Sequence, residues 1–279
     1  MKIRNIYIND SSVFKDLKID CGNCFGFCCV ALYFSKVDGF PKDKSSGEPC
    51  VNLNSDFTCK VHKDLRKKGL KGCTSYDCFG AGQKVSKITY NGIDWCESPE
   101  LAEEMFNVFL VMRQLHEMLW YLSMVYILEK EDTLRSISNI IIQETMEITL
   151  LKPEALLKLN LDIHREKVNE VLRKASNQIR SKFVSKNNKT LSKNYIGKNL
   201  KNVNLRGADL SGALLIATDL SNNDLSGVNL IGADMRDTNI KGANLENSVF
   251  ITQQQVNSAN GDENTKLPVS LTIPKYWSK

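Results

Sequence analysis

No cysteine occurs after residue 96, although the chain holds nine of them in 279 residues. Thiol chemistry is thereby confined to the first third. Residues 1–20 contain no apolar run of the kind a signal peptide needs. The longest apolar stretch, 105–128, is broken by Arg113, Gln114, His116 and Glu117. A membrane span would bury those groups at heavy cost, so the stretch reads as a buried helix, with no membrane partner and a cytoplasmic setting. That setting and an odd cysteine count argue against a disulfide framework. Charge of one sign is also scarce near the C-terminus. Over 194–250 five Lys/Arg face six Asp/Glu, whereas over 162–193 nine basic residues face three acidic ones, within a net charge of +5.

What is present is a strict period of five. Leu200, Leu205, Leu210, Leu215, Leu220, Leu225, Leu230, Met235, Ile240, Leu245 and Phe250 are all apolar, a run with odds on the order of 10⁻⁴ per register. Five matches neither a 3.6-residue helix nor a two-residue strand. It suits a chain that turns a corner every five residues and stacks coil upon coil. Two residues before each centre the side chain is compact, as at Ala208, Ala213, Thr218, Val228 and Ala243. One residue before it lies mostly Asn or Asp, and Gly207, Gly212, Gly227, Gly232 and Gly242 fall two after it, where a turn needs a permissive backbone. Leu214 stands where Asn or Asp is usual, making one face locally apolar. Thr252 reads as the N-cap of a short helical turn, followed by the breaker Asn260-Gly261-Asp262. Pro268, Pro274, Tyr276 and Trp277 supply bulk to cover the last coil.

The segment Ala208-Asp209-Leu210-Ser211-Gly212 matches the A-(D/N)-L-x-x pattern, and the run as a whole resembles the pentapeptide-repeat family. That resemblance implies a right-handed quadrilateral β-helix, a solenoid with flat faces for a protein partner. Some members of the family protect gyrase, a topoisomerase, by mimicking DNA. Two features of these residues speak against that role. The repeats sum to −1, from the five basic and six acidic residues above, and eleven centres make fewer than three coils, a rod of only ~14 Å at ~4.8 Å per coil.

The nine cysteines are Cys21, Cys24, Cys28, Cys29, Cys50, Cys59, Cys73, Cys78 and Cys96. Cys21-Gly22-Asn23-Cys24 puts two thiolates on one tight turn, the reach a single metal needs. Cys59 and His62 form a C-x2-H. Cys28 and Cys29 are adjacent and cannot both easily face one ion. Cys21, Cys24, Cys28 and Cys29, then Pro49-Cys50, Cys59, Cys73 and Cys78, resemble a family of zinc- or iron-chelating proteins with a CxxCxxCC cluster, over residues 21–83. Here Phe25-Gly26-Phe27 adds a residue before the vicinal pair. The expected ligands are those eight cysteines, holding zinc or iron, with an iron–sulfur cluster among the options. Redox-active thiols, disulfides and plain core cysteines are the alternatives, and Cys96 stands outside the motif.

Between these regions the pattern predicts three helices. The first starts at Ser98-Pro99-Glu100 and carries Met105, Val108, Met112, Leu115, Leu119 and Leu122 on one stripe. The second runs over 132–150 and stops before Pro153; the third runs over 162–183, with Val168, Val171, Leu172, Ala175 and Ile179 inward. His116 and His164 read as surface histidines, since no nucleophile or second base stands at a telling spacing. The expected architecture is α+β and multidomain: a cysteine-rich metal-binding head (1–97), a helical middle (98–187) and a C-terminal β-helix with its cap (195–279). The linker 185–194 should separate the β-helix from the rest, and spare apolar helix surface could serve a homodimer. The function this favours is a non-enzymatic metal-binding protein with a protein-interaction surface. A gyrase-protecting DNA mimic and a metal- or redox-dependent enzyme are the alternatives, and direct nucleic-acid binding through the basic third helix is the weakest reading.

Overall fold

The computed structural model describes residues 14–129, 132–183 and 192–277. The chain divides into two compact units. The first comprises Met1–Lys36, Pro41–Lys63 and Cys78–Val171, the second Val37–Phe40, Asp64–Asp77 and Leu172–Lys279. The linker at 185–194 falls largely outside the described residues. Eight α-helices are described: α1 (Phe27–Ala31), α2 (Lys71–Thr74), α3 (Ala81–Lys84), α4 (Ala102–Leu128), α5 (Asp132–Ile148), α6 (Pro153–Leu157), α7 (Leu161–Ser181) and α8 (Gln253–Ser258). None of the described helices is long and apolar enough to cross a membrane.

In the first unit α4 is the axis. Met105, Val108, Phe109, Met112, Leu115 and Leu122 on it are wholly buried, as the heptad-like spacing predicts. The cysteine-rich loops supply much of its cover through aromatic rings. Phe27 stacks on Phe109 with centroids 5.4 Å apart, and Trp95 meets Phe106 edge-on at 5.8 Å. The Trp95 indole N–H donates to the Phe25 carbonyl at 2.8 Å, giving its polar edge a partner. The helix enters through a 3-10 turn at Pro99–Leu101, with proline in the first position as its missing N–H allows. Both helical histidines are buried, against the surface reading. His116 is 3% exposed and His164 4%. Each has a partner distant in sequence that makes burial tolerable: the Phe79 carbonyl lies 2.7 Å from His116 Nδ1, and the Thr145 hydroxyl lies 2.8 Å from His164 Nε2.

In the second unit the period of five is expressed position by position. Leu205, Leu210, Leu215, Leu220, Leu225, Leu230, Met235, Ile240, Leu245 and Phe250 are each at most 1% exposed; Leu200, the first centre, is half-buried. The Asn/Asp column has a physical cause. Its side-chain oxygen accepts the N–H two residues on, closing an Asx turn at Asn199, Asp209, Asp219, Asp224, Asn229, Asp234, Asn239 and Asn244 with distances of 2.9–3.3 Å. Two residues after the centres from Leu200 to Ile240 the backbone is left-handed: Gly207, Gly212, Gly227, Gly232 and Gly242 have φ of 61–70°. Asn202, Ala217, Asn222 and Asp237 occupy the same corner without glycine, at 54–66°. Leu214 breaks the Asx column and is 39% exposed, the apolar spot its sequence position predicts.

The β-helix expected for 195–279 needs correction. Among the described residues there is no β-strand and no sheet, so neither the quadrilateral β-helix nor an α+β class holds. The repeats instead run as two-residue turns joined by isolated parallel bridges, including Asn199↔Asp219, Asp209↔Asn229, Asp219↔Asn239 and Asp224↔Asn244. The cause lies in the repeat length. Each five-residue segment spends most of its backbone on the Asx turn and the left-handed corner, leaving a single residue to pair. The offset of twenty lengthens to 21 at Asn239↔Asn260 and 22 at Asn244↔Lys266, where α8 interrupts the period. Thr252 caps α8 as its sequence predicts, in a capping box with Gln255. Trp277 is buried, with its ring against Gly261.

Candidate functional site

Seven of the eight expected ligand cysteines lie in the first unit; Cys73, on α2, belongs to the second. Three loops carry six of these seven, all but Cys78. Cys21 and Cys24 flank a 3-10 turn, Cys28 and Cys29 start α1 after the left-handed Gly26, and Cys50 and Cys59 bracket a hairpin-like loop closed by the Leu53↔Cys59 bridge. The Cys50 N–H donates to the Cys29 carbonyl at 3.0 Å, tying that loop to α1. The vicinal sulfurs of Cys28 and Cys29 are 3.9 Å apart, and the Cys29 thiol is also within hydrogen-bond reach of Cys59. The extra residue ahead of Cys28 places the vicinal pair in a helical start, with its two sulfurs 3.9 Å apart, and not in an extended segment.

Backbone amides point at three of these sulfurs. Cys24 is approached by the N–H groups of Phe27 and Gly26, and Cys59 by those of Val61 and His62. Cys50 accepts from the Asn52 N–H at 3.5 Å. An N–H two or three residues on, aimed back at sulfur, stabilises thiolate. Gly82 leaves room for Cys24, since a Cβ there would stand 2.5 Å from its sulfur. Lys44 adds a cation at the edge of the group. It is 8% exposed, and its ammonium donates to the carbonyls of Val30, Ser45 and Glu48 at 3.3, 2.8 and 2.6 Å. Burial lowers its pKa, while neighbouring Cys50 and Cys29 oppose that shift.

Cys21, Cys24, Cys29 and Cys59 are all shifted upwards, towards the protonated thiol. Burial, then Cys24, Asp20 and Cys59, pushes Cys21 up to about 11. Burial likewise takes Cys24 to about 11 against the pull of the Phe27 N–H, with Cys78 adding to the rise. Hydrogen bonding with Cys28 raises Cys29 well above the ordinary thiol range, and the Cys29 contact does the same to Cys59. The eight expected ligands are therefore placed unequally. Cys28, Cys29, Cys50 and Cys59 adjoin, Cys21 and Cys24 couple to each other, Cys24 also to Cys78, and Cys21 to Cys59. Among the described residues no three His, Cys, Asp or Glu side chains are set to hold one ion. His62, the C-x2-H candidate, is exposed on a short 3-10 turn, and Cys96 is exposed. Lys44 was not singled out from sequence, because nothing in a lysine's spacing marks it as buried.

Comparison with known proteins agrees with the repeat pattern. A family model described as pentapeptide repeats matches eight copies, over residues 199–237 and 214–250, so the chain carries a pentapeptide-repeat segment there. The chain is 50% identical over 269 residues to "Uncharacterized protein YybG" of Bacillus subtilis (strain 168), spanning 95% of this chain and 96% of that protein. It belongs to the same family as YybG. No solved structure matches it.

Proposed function

We propose that the protein is a non-enzymatic metal-binding protein, whose thiolates hold zinc or iron while the repeat-bearing unit serves as a docking face for a partner protein. The observation that carries the reading is the convergence of N–H groups on the sulfurs of Cys24, Cys50 and Cys59 within one group of neighbouring thiols. Thiolates so gathered repel one another, and a soft divalent cation is the counter-charge that suits them. Four ligands drawn from Cys21, Cys24, Cys28, Cys29, Cys50, Cys59 and Cys78 supply a tetrahedral shell as their protons leave. The resemblance of residues 21–83 to a CxxCxxCC chelating family supports the same chemistry.

The docking role rests on the regular outer face of the repeats, where Leu214 and Val203 are 39% and 42% exposed. Elemental analysis of protein purified without oxygen is the test. At least one zinc or iron per chain, released together with newly reactive thiols by a chelator, is expected. Metal-free protein whose thiols react fully and whose fold resists chelator overturns the reading.

A further inference from the structure

The first unit contains a second feature that the thiols do not use: a cavity of about 810 Å³ between the segment at 15–20, α3, α4 and α5. We infer that it binds a small organic anion with an apolar body and a hydroxyl or N–H group at the end away from its charge. This is independent of the metal reading.

Two buried polar groups define the ligand's inner end. The His116 ring lines the cavity, and because its Nδ1 faces the Phe79 carbonyl at 2.7 Å, Nδ1 must carry the proton. Nε2 is then a lone-pair acceptor and asks for a donor. The ring stays neutral at physiological pH, because burial lowers its pKa to about 4. Seven residues further along α4, almost two full turns on the same side of the helix, Ser123 also lines the cavity. Its side chain is 1% exposed and its hydroxyl has no hydrogen-bond partner. A buried hydroxyl left unpaired is costly, of the order of 1–3 kcal/mol, and is rare in a native fold without a purpose.

Charge and shape define the rest. Lys15, Lys18, Lys84 and Lys87 line the cavity against Asp16 and Asp20, an excess of two positive charges by that count. Lys84 lies half-buried, where burial lowers its pKa and Asp16 opposes the shift. An incoming anion supplies the counter-charge it lacks. Between rim and floor the walls are Leu17, Leu119, Ile142 and Met146, which accept an apolar body. Gln83 holds the outer wall in place, donating to the Lys18 carbonyl at 2.7 Å and accepting the Asp20 N–H at 3.3 Å. The volume lies in the range of sites that enclose a metabolite-sized molecule.

Titration with 6-(p-toluidino)naphthalene-2-sulfonate, followed by fluorescence on the full chain, tests the inference, because this probe carries its N–H on the opposite side of the apolar naphthalene from its sulfonate. One saturable site per chain is expected. Replacing both Lys84→Gln and Lys87→Gln should weaken it about tenfold, and Ser123→Ala about fivefold. Ile140→Ser, on an exposed apolar position outside the cavity lining, should leave affinity unchanged. Lys84 and Lys87 are not fully buried, so that pair decides the matter even if a change at Ser123 or His116 harms folding. Absence of saturable binding, affinity indifferent to the lysine pair, or loss of binding with Ile140→Ser each overturns the inference.

Discussion

The repeats and the cysteine-rich loops are both built without a β-sheet among the described residues, yet they reach order by opposite routes. In the repeats each position answers one local requirement. A centre fills the core, an Asn or Asp closes the turn before it, and a glycine or tolerant residue takes the left-handed corner after it. In the loops no rule repeats. Cys29, Cys50 and Cys59 meet because unrelated turns converge, and the cover for α4 includes rings as far apart in sequence as Phe27 and Trp95. Periodic sequence distributes stability over many equivalent contacts, whereas the loops concentrate it in a few groups whose chemistry can also be used. Damage should therefore read out differently in the two regions.

The largest effect is expected at Leu220, which is wholly buried among the repeats. Leu220→Asp places an unpaired charge there and should cost 4 kcal/mol or more, on the order of the whole stability of a domain. Leu220→Ala should cost about 2–5 kcal/mol. Denaturant unfolding followed by circular dichroism measures both; an unchanged midpoint for Leu220→Asp would show that the centres do not form the core.

Acid separates the two regions next. His116 has a folded pKa of about 4 against an ordinary 6.5, so the unfolded chain takes up the proton first as pH falls. Lys84 and Asp16 are the charged groups that act on it. Stability from keeping this group neutral is complete above 6.5 and declines as pH falls from 6.5 towards 4, by at most about 3 kcal/mol. For the repeat carboxylates the sign is the same, stability being lost as pH falls, but the window lies lower. The Ser221 N–H, then its hydroxyl, holds Asp219 below its ordinary 3.8, so its contribution persists above 3.8 and is lost only below it. Thermal melts between pH 7 and 5 should weaken the first unit alone, and His116→Gln should flatten that slope. Equal loss in both regions over this range would contradict the assignment.

How much of this was legible in the sequence follows the same division. The inward centres, Thr252 as a cap, the exposed Leu214 and the helix spans could be read directly, because each rests on spacing along the chain. The absence of strands could not, since family resemblance reports the repeat and not how many residues of each segment remain free to pair. Nor could the burial of His116 and His164. Their partners, Phe79 and Thr145, are 37 and 19 residues away, so nothing in the local pattern marks them. Lys44 and Ser123 were missed for the same reason. The cysteines were visible as a set, but which of them adjoin depends on how the loops close.

Smaller effects sharpen the picture of the repeat corner. Asp219→Ala removes the oxygen that closes one Asx turn and accepts the Asn239 amide, and should cost about 1 kcal/mol. Ala217 adopts φ 54°, where a side chain is strained by roughly 1–2 kcal/mol. Ala217→Gly relieves that strain and restores chain entropy to the unfolded state, for a net gain of about 0.5 kcal/mol. A loss of stability on this substitution would mean that the corner tolerates alanine for reasons of packing.

The most direct test of the account is a cobalt(II) titration of the reduced, metal-free chain, read by the absorption of sulfur-to-cobalt charge transfer. The account predicts that the band saturates at a fixed number of ions per chain, is lost or strongly diminished in Cys59→Ser, and is unchanged in Cys96→Ser, whose thiol stands exposed outside the group. A chain that develops no such band, or one for which the two variants behave alike, would contradict a metal-holding role for the thiols.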